Sequence, residues 1–184
     1  GVDGRGYVLA DRSCRLSPDG WARRAVQAFD DYAADAVIAE ANNGGDLVEN
    51  TIRTVRKSIP YLKVHASRGK QTRAQPVAAL YEQGKVHHVG PATALAALDD
   101  QLSTWTGGLP SPNRLDALVW CISYLMLGAE ETGAAKFLGP AKAGHGGGAE
   151  SAKGKGGPGY RANRRNFREP IALTLYAANL RGNL

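Results

Sequence analysis

Residues 35–46 read DAVIAEANNGGD. A short apolar run ends at the carboxylate of Glu40 and is followed by two glycines. Small and β-branched apolar residues are typical of a buried central strand, and Gly44 and Gly45 favour a tight turn from a strand into a helix. This pattern places Glu40 at the carboxyl end of a strand, where open α/β sheets hold their functional residues. A strand-end glutamate that faces water is the simpler interpretation, and only the rest of the chain can decide against it.

The composition is that of one main domain with a basic surface. The chain has 184 residues and 43% hydrophobic content, which is enough to bury one ordinary core. Its formal net charge is +6. The positive charge suggests a polyanionic partner, although a solvated basic surface also explains it. Two cysteines without CxxC spacing indicate neither a disulfide framework nor a zinc site. With no bilayer-spanning run and no signal-peptide pattern, we expect a soluble cytoplasmic protein without membrane association.

Strand and helix patterns alternate outward from the Glu40 strand. Residues 7–10 have strand chemistry, and the Ser17-Pro18-Asp19 start predicts a helix over about residues 18–34. This strand, helix, strand order predicts a right-handed parallel crossover. The remaining predicted elements are a helix from about residue 46, a strand at 62–66, a basic loop at 67–73, a helix ending near 84, a short strand at 85–89, a helix at 92–102 and a last helix from about 112. The order indicates an α/β domain.

The last predicted helix carries a second carboxylate, Asp116, in its first turn and beside a broad apolar stripe. An α/β fold could bring Glu40 and Asp116 to one edge of the sheet. Paired carboxylates are the acidic half of a site for hard divalent cations such as Mg²⁺. Two unrelated polar residues, with Asp116 only stabilising its helix N-terminus, remain the alternative.

Four separated segments resemble the nuclease domain of phage terminase large subunits. They read VIAEANNGGD at 37–46, ASRGKQTRAQP at 66–76, ALYEQGKVHHVG at 79–90 and SPNRLDALVW at 111–120, and the likeness runs from about residue 6 to residue 126. Such terminases package phage or phage-like genomes with an N-terminal ATPase motor and a C-terminal nuclease of ribonuclease H-like fold. The resemblance implies a ribonuclease H-like mixed sheet flanked by helices, with the first strands and the ATPase upstream of Gly1.

The resemblance also implies roles for single residues. Glu40 and Asp116 would be catalytic and would bind two divalent metal ions, Mg²⁺ or Mn²⁺. The acid that relatives place on the first strand has no match in this chain. A ribonuclease H-like domain has three strands before its first helix, whereas only one predicted strand lies between Asp3 and that helix. We therefore expect the 184-residue chain by itself to be weak or inactive. Asn113 also stands where many relatives carry an aspartate.

Three cations in the basic segment are the predicted DNA contacts. Arg68, Lys70 and Arg73 lie close together in sequence, and Lys/Arg recognition of the phosphate backbone does not depend on base sequence. A solvated basic loop is the alternative.

Two further pairs of residues favour structural roles. His87 and His88 are adjacent in a predicted strand and therefore face opposite sides, so they do not readily share a metal. Trp105 and Trp120 are expected to pack in the core, where large aromatic side chains contribute heavily.

The predicted function is that of a DNA-packaging nuclease domain, at residues 1–138, which cuts double-stranded DNA. Residues 139–167 form a predicted flexible basic linker, and residues 168–184 a C-terminal segment that is helical or binds a partner. By resemblance, the partners are double-stranded DNA, the portal protein and the terminase small subunit, in the bacterial host cytoplasm and with a phage or prophage origin. A non-catalytic DNA-binding or packaging-interaction module is the alternative. No phosphate-loop motif is present, so no ATPase is expected within the chain.

Overall fold

The computed structural model describes residues 3–40, 45–108 and 112–128. Helices and short strands alternate through these residues, in agreement with the predicted α/β class. The elements are β1 (Gly6–Val8), α1 (Pro18–Asp31), β2 (Val37–Glu40), α2 (Gly45–Val55), β3 (Tyr61–Val64), α3 (Lys70–Glu82), β4 (Val86–His88), α4 (Ala92–Thr104) and α5 (Asn113–Ile122), followed by a π-helical turn at Ser123–Leu127.

The described strands form two separate sheets of two parallel strands each. β1 pairs with β4, with Gly6 opposite Val86, and β2 pairs with β3, with Val37 opposite Tyr61. The predicted parallel crossover from β1 to β2 is not found in the described residues, because β1 and β2 belong to separate sheets. The single mixed sheet is not confirmed within the described residues. Chain order does not specify which strands become hydrogen-bonded neighbours.

The structure packs as two halves that do not follow chain order. In what we call the first half, α3, α4 and α5 pack around the β1–β4 pair. Its core includes Val8, Leu80, Leu98 and Leu118, all buried. Gly6 allows β1 to approach the end of the last helix closely, since a Cβ at this position would lie 2.8 Å from the Sδ atom of Met126. A larger residue at position 6 would therefore require the Met126 side chain to move.

The second half packs α1 and α2 against the β2–β3 pair. Ser17 caps α1 as predicted, because its side chain accepts a hydrogen bond from the Gly20 N–H. Trp21, Ala25 and Ala28 recur at helical spacing and are buried against Ile52 of α2. Val37 of β2 belongs to the same buried cluster, so these contacts anchor the strand that ends in Glu40.

Helix α5 belongs to the first half and also contacts the second. It contacts α3 and α4 in the first half and β2 in the second. The predicted apolar stripe is confirmed, with Leu118 and Ile122 fully buried. The helix does not continue regularly to Met126, however, because its hydrogen bonding changes to π-helical at Ser123.

Several predicted boundaries need correction. Helix α1 ends at Asp31, and α3 begins at Lys70, so Lys70 and Arg73 belong to a helix and not to the predicted loop at 67–73. The predicted linker at 139–167 and the segment at 168–184 lie outside the described residues. In the described part of the chain, no helix has the length and apolar character required to cross a membrane.

Candidate metal and DNA site

Glu40 lies at the carboxyl end of β2, as predicted, and its side chain turns toward α5. The Trp120 Nε1–H donates a hydrogen bond to Oε2 of Glu40 at 3.2 Å, and Glu40 is only partly exposed. A glutamate that simply faces water would not have this partner. The contact joins the β2–β3 half of the molecule to α5.

Asp116 lies in the first turn of α5 and is buried, with a relative exposure of 8%. Two cations hold its carboxylate. Arg73 donates from Nη2 to Oδ1 at 2.6 Å, and the Lys70 ammonium lies 3.3 Å from Oδ2. A buried carboxylate needs such compensation, because removing its charge from water is costly.

Arg73 connects the two carboxylates through Trp120. Its guanidinium lies over the Trp120 ring, 4.6 Å from the ring centroid, while Nη1 donates to the Arg68 carbonyl at 2.7 Å. The contacts therefore run from Glu40 through Trp120 and Arg73 to Asp116, with Lys70 on the far oxygen. We call these five residues the carboxylate cluster.

Helical spacing explains how two helices supply four of the five residues of this cluster. Lys70 and Arg73 are three residues apart on α3, and Asp116 and Trp120 are four residues apart on α5, so each pair lies on one helix face. The two faces meet because α3 packs on α5.

A groove opens beside the carboxylate cluster and shares Arg73 and Trp120 with it. Its other lining residues include Ser67, Arg68 and Thr72. Arg68 is exposed, whereas Lys70 and Arg73 turn inward to Asp116. Of the three predicted DNA-binding cations, Arg68 and Arg73 thus line the groove, whereas Lys70 contacts Asp116 beside it.

Trp120 is the residue whose role sequence reasoning missed. Its burial was correctly predicted, at 5% exposure, but its indole also hydrogen-bonds one carboxylate and stacks on the cation that holds the other. The available signal was its spacing of four residues from Asp116 on a helix.

His87 and His88 point to opposite sides of β4, as predicted. The ring of His87 stacks on Tyr7, with centroids 5.5 Å apart, whereas His88 contacts Tyr81 and Asp99. Burial raises the pKa of Tyr81, so its hydroxyl stays protonated and can donate to Nε2 of His88. The opposite ring nitrogen then donates to Asp99, 2.7 Å away.

Asp3 engages its own local partners. Its carboxylate accepts hydrogen bonds from the Tyr7 hydroxyl at 2.6 Å and from the Arg5 N–H at 3.1 Å. The bond from Tyr7, followed by that from Arg5, lowers the pKa of Asp3. These contacts give Asp3 a role in the turn before β1.

The donor chemistry of the carboxylate cluster fits a hard divalent cation, since Glu40 and Asp116 both offer carboxylate oxygens. Among the residues that the structure describes, no group of three or more His, Cys, Asp or Glu side chains could hold a metal ion. The described part of the chain therefore provides at most two protein carboxylates for such an ion.

The described residues thus form an α/β domain with an acidic and basic cluster where β2 meets α5. The family described as the terminase RNaseH-like domain matches residues 1–125, and the chain belongs to that family. It is thus a nuclease-type terminase domain of the ribonuclease H-like class. Comparisons with curated proteins and with solved structures found no match.

Proposed function

We propose that this chain is the DNA-cleaving domain of a DNA-packaging terminase large subunit, a metal-dependent endonuclease acting on double-stranded DNA. One observation carries the proposal: carboxylates 76 positions apart in sequence, Glu40 and Asp116, enter one cluster beside a basic groove. Family membership supplies the class of reaction. Double-stranded DNA, the portal protein and the terminase small subunit are the proposed partners.

Glu40 and Asp116 would hold the metal ions through their carboxylate oxygens. Bound Mg²⁺ or Mn²⁺ supplies an activated water and stabilises the charge on the leaving oxygen of a phosphodiester. Trp120 fixes the orientation of the Glu40 carboxylate by donating to Oε2. The packing of α3 on α5 brings Lys70 and Arg73 against Asp116 and Trp120.

Arg68, Lys70 and Arg73 would contact the DNA backbone. Arg68 is exposed at the groove and is available to a phosphate without rearrangement of its backbone. Lys70 and Arg73 lie deeper, on Asp116. A guanidinium that can form two parallel hydrogen bonds suits a phosphate, and such contacts position DNA without reading its sequence.

Plasmid cleavage tests this function. The protein is the product of the complete reading frame that encodes the chain, incubated with supercoiled plasmid and Mg²⁺ or Mn²⁺. Glu40→Gln and Asp116→Asn keep side-chain shape but remove the charged metal ligand, and each should lower the cleavage rate by at least about a hundredfold.

Glu49→Gln is the matched control. Glu49 is also a partly buried glutamate, but it lies on α2 and pairs with Arg53 of the same helix and Lys63 of β3. Its substitution should leave the cleavage rate unchanged. Cleavage at the unaltered rate by both Glu40→Gln and Asp116→Asn would exclude these residues as metal ligands.

A non-catalytic DNA-binding or packaging-interaction module is the second candidate function. It is favoured by the two cations that already neutralise Asp116, an arrangement that is stable without a metal. Plasmid cleavage, together with a DNA-binding measurement on the same protein, separates the two functions. DNA binding by the complete protein with no metal-dependent cleavage supports the module and contradicts the endonuclease.

A further inference from the structure

The Asp116 carboxylate is engaged on both oxygens by cations of the protein itself. Arg73 occupies Oδ1 at 2.6 Å and Lys70 lies 3.3 Å from Oδ2. A divalent cation needs the same oxygens at about 2.0–2.6 Å. Like charges repel strongly at such separations in a partly buried site, so the metal and the two side chains compete for Asp116.

The position of Arg73 leaves one of its donors without a partner. Nη2 bonds Asp116 and Nη1 bonds the Arg68 carbonyl, but the buried Nε has no hydrogen-bond partner within the described structure. A buried donor that makes no hydrogen bond is costly. The arrangement on Asp116 therefore does not satisfy Arg73 completely.

A DNA phosphate would offer Arg73 and Lys70 an alternative partner. Both side chains start from the first turn of α3, next to the exposed Arg68 and the groove that it lines. A phosphate in that groove supplies several acceptor oxygens and a negative charge. Movement of the two cations onto the phosphate would uncover Asp116.

We propose that Arg73 and Lys70 are internal counter-ions of Asp116 that a divalent metal must displace, and that a DNA phosphate favours this displacement by accepting them. The inference rests on the proposed function, because it takes Asp116 to be a metal ligand. Metal and DNA then bind with positive coupling, and by linkage each increases the affinity of the other by the same factor. Arg73 and Lys70 act here as positioning residues that control access to Asp116.

Calorimetric titration of the 184-residue chain with Mn²⁺ tests the competition. Arg73→Gln should increase Mn²⁺ affinity by about tenfold, and Lys70→Gln should increase it by about threefold, since its contact is longer. Arg114→Gln is the matched control: it removes the same charge from a different ion pair, that with Asp11. Its Mn²⁺ affinity should stay within about twofold of the wild type.

A second titration adds a short DNA duplex before Mn²⁺. Duplex DNA should increase the Mn²⁺ affinity of the wild type by about tenfold and should have a clearly smaller effect on Arg73→Gln, from which the displaced cation is already absent. Circular dichroism establishes that each variant is folded. If Arg73→Gln is unfolded, the direction of the change in Lys70→Gln decides the result.

The outcomes separate this inference from the proposed function. If Asp116→Asn abolishes Mn²⁺ binding but neither Arg73→Gln nor Lys70→Gln strengthens it, the counter-ion proposal is wrong and the metal site stands. If Asp116→Asn binds Mn²⁺ as tightly as the wild type, Asp116 is not a ligand and both proposals fail.

Discussion

Trp120 determines how the two carboxylates are connected. It was predicted to be a packing residue, and its 5% exposure agrees with that prediction. Composition and periodicity place such a tryptophan in the core but do not identify the acceptor for its Nε1–H. A buried indole usually finds a polar partner, and here the partner is Glu40 from a distant strand.

A double-mutant cycle measures the link between Trp120 and Glu40. Trp120→Phe and Glu40→Ala each remove one side of the hydrogen bond, and we expect a coupling free energy of about 1 kcal/mol from urea unfolding. The cycle of Glu40→Ala with Trp105→Phe is the control, because the Trp105 Nε1–H donates to the Gly108 carbonyl. Equal coupling in both cycles would contradict a specific bond between Glu40 and Trp120.

Helix α5 obtains its N-terminal cap from another element. Pro112 at the cap position supplies no side-chain hydrogen bond. Gln101 of α4 replaces it, since Oε1 accepts from the Arg114 N–H at 3.1 Å and from the Leu115 N–H at 3.2 Å. The Ser-Pro pattern indicated where α5 begins, but not that α4 would satisfy its first N–H groups.

Gln101→Ala tests this cap. The substitution leaves two N–H donors of α5 without their acceptor, so we expect the free energy of unfolding to fall by about 1 kcal/mol. Gln101→Glu keeps an acceptor oxygen at a helix N-terminus and should stay within about 0.5 kcal/mol of the wild type. The measurement is the urea midpoint at neutral pH. A loss of equal size in both variants would show that packing, and not capping, is the role of Gln101.

The three elements around His88 illustrate a correct prediction from strand geometry. Alternation along β4 placed His87 and His88 on opposite faces, and the structure confirms this. Which residues each histidine meets depends on the packing of α3 and α4, from which Tyr81 and Asp99 come. Periodicity gives the direction of a side chain, whereas tertiary packing supplies its partner.

At the scale of the whole molecule, an ion pair joins the segment after β1 to α5. Asp11 accepts from Nε of Arg114 at 2.6 Å, across 103 positions of sequence. Burial alone would raise the pKa of Asp11, but hydrogen bonds from Ser13 and the pairing with Arg114 outweigh it and lower that pKa. The folded state therefore favours the ionised carboxylate.

This pKa shift predicts how acid affects stability. Because the pKa of Asp11 is lower when the chain is folded, the unfolded chain takes up a proton first as the pH falls. The contribution of Asp11 is thus complete at neutral pH and is lost as the pH falls below about 4. Asp11→Asn should be less stable than the wild type at pH 7 but should lose less stability between about pH 5 and pH 3.

Asp19→Asn is the control for this pH profile. Asp19 forms an exposed pair with Arg23 on α1, and exposed pairs contribute little to stability. Urea unfolding at each pH should give nearly the wild-type profile for Asp19→Asn. A wild-type profile for Asp11→Asn as well would show that the Asp11 pair does not govern acid sensitivity.

The carboxylate cluster lies where the two packed halves of the molecule meet. Glu40 comes from the half built on β2 and β3, while Asp116 and Arg73 come from helices of the other half. Any change in the packing of α5 against β2 would alter the distance between the two carboxylates. The site is therefore a property of the whole fold.

The sequence by itself determined the alternation of strands and helices, the cap of α1, the position of Glu40 at a strand end and the family. These features follow from local periodicity, capping residues and motifs of neighbouring residues. Only the tertiary structure decided that β1 pairs with β4, that Trp120 joins Glu40 to Arg73, and that Lys70 and Arg73 hold Asp116. Such pairings depend on which elements pack together, because a strand edge or a buried charge accepts any partner of suitable geometry that the fold brings near.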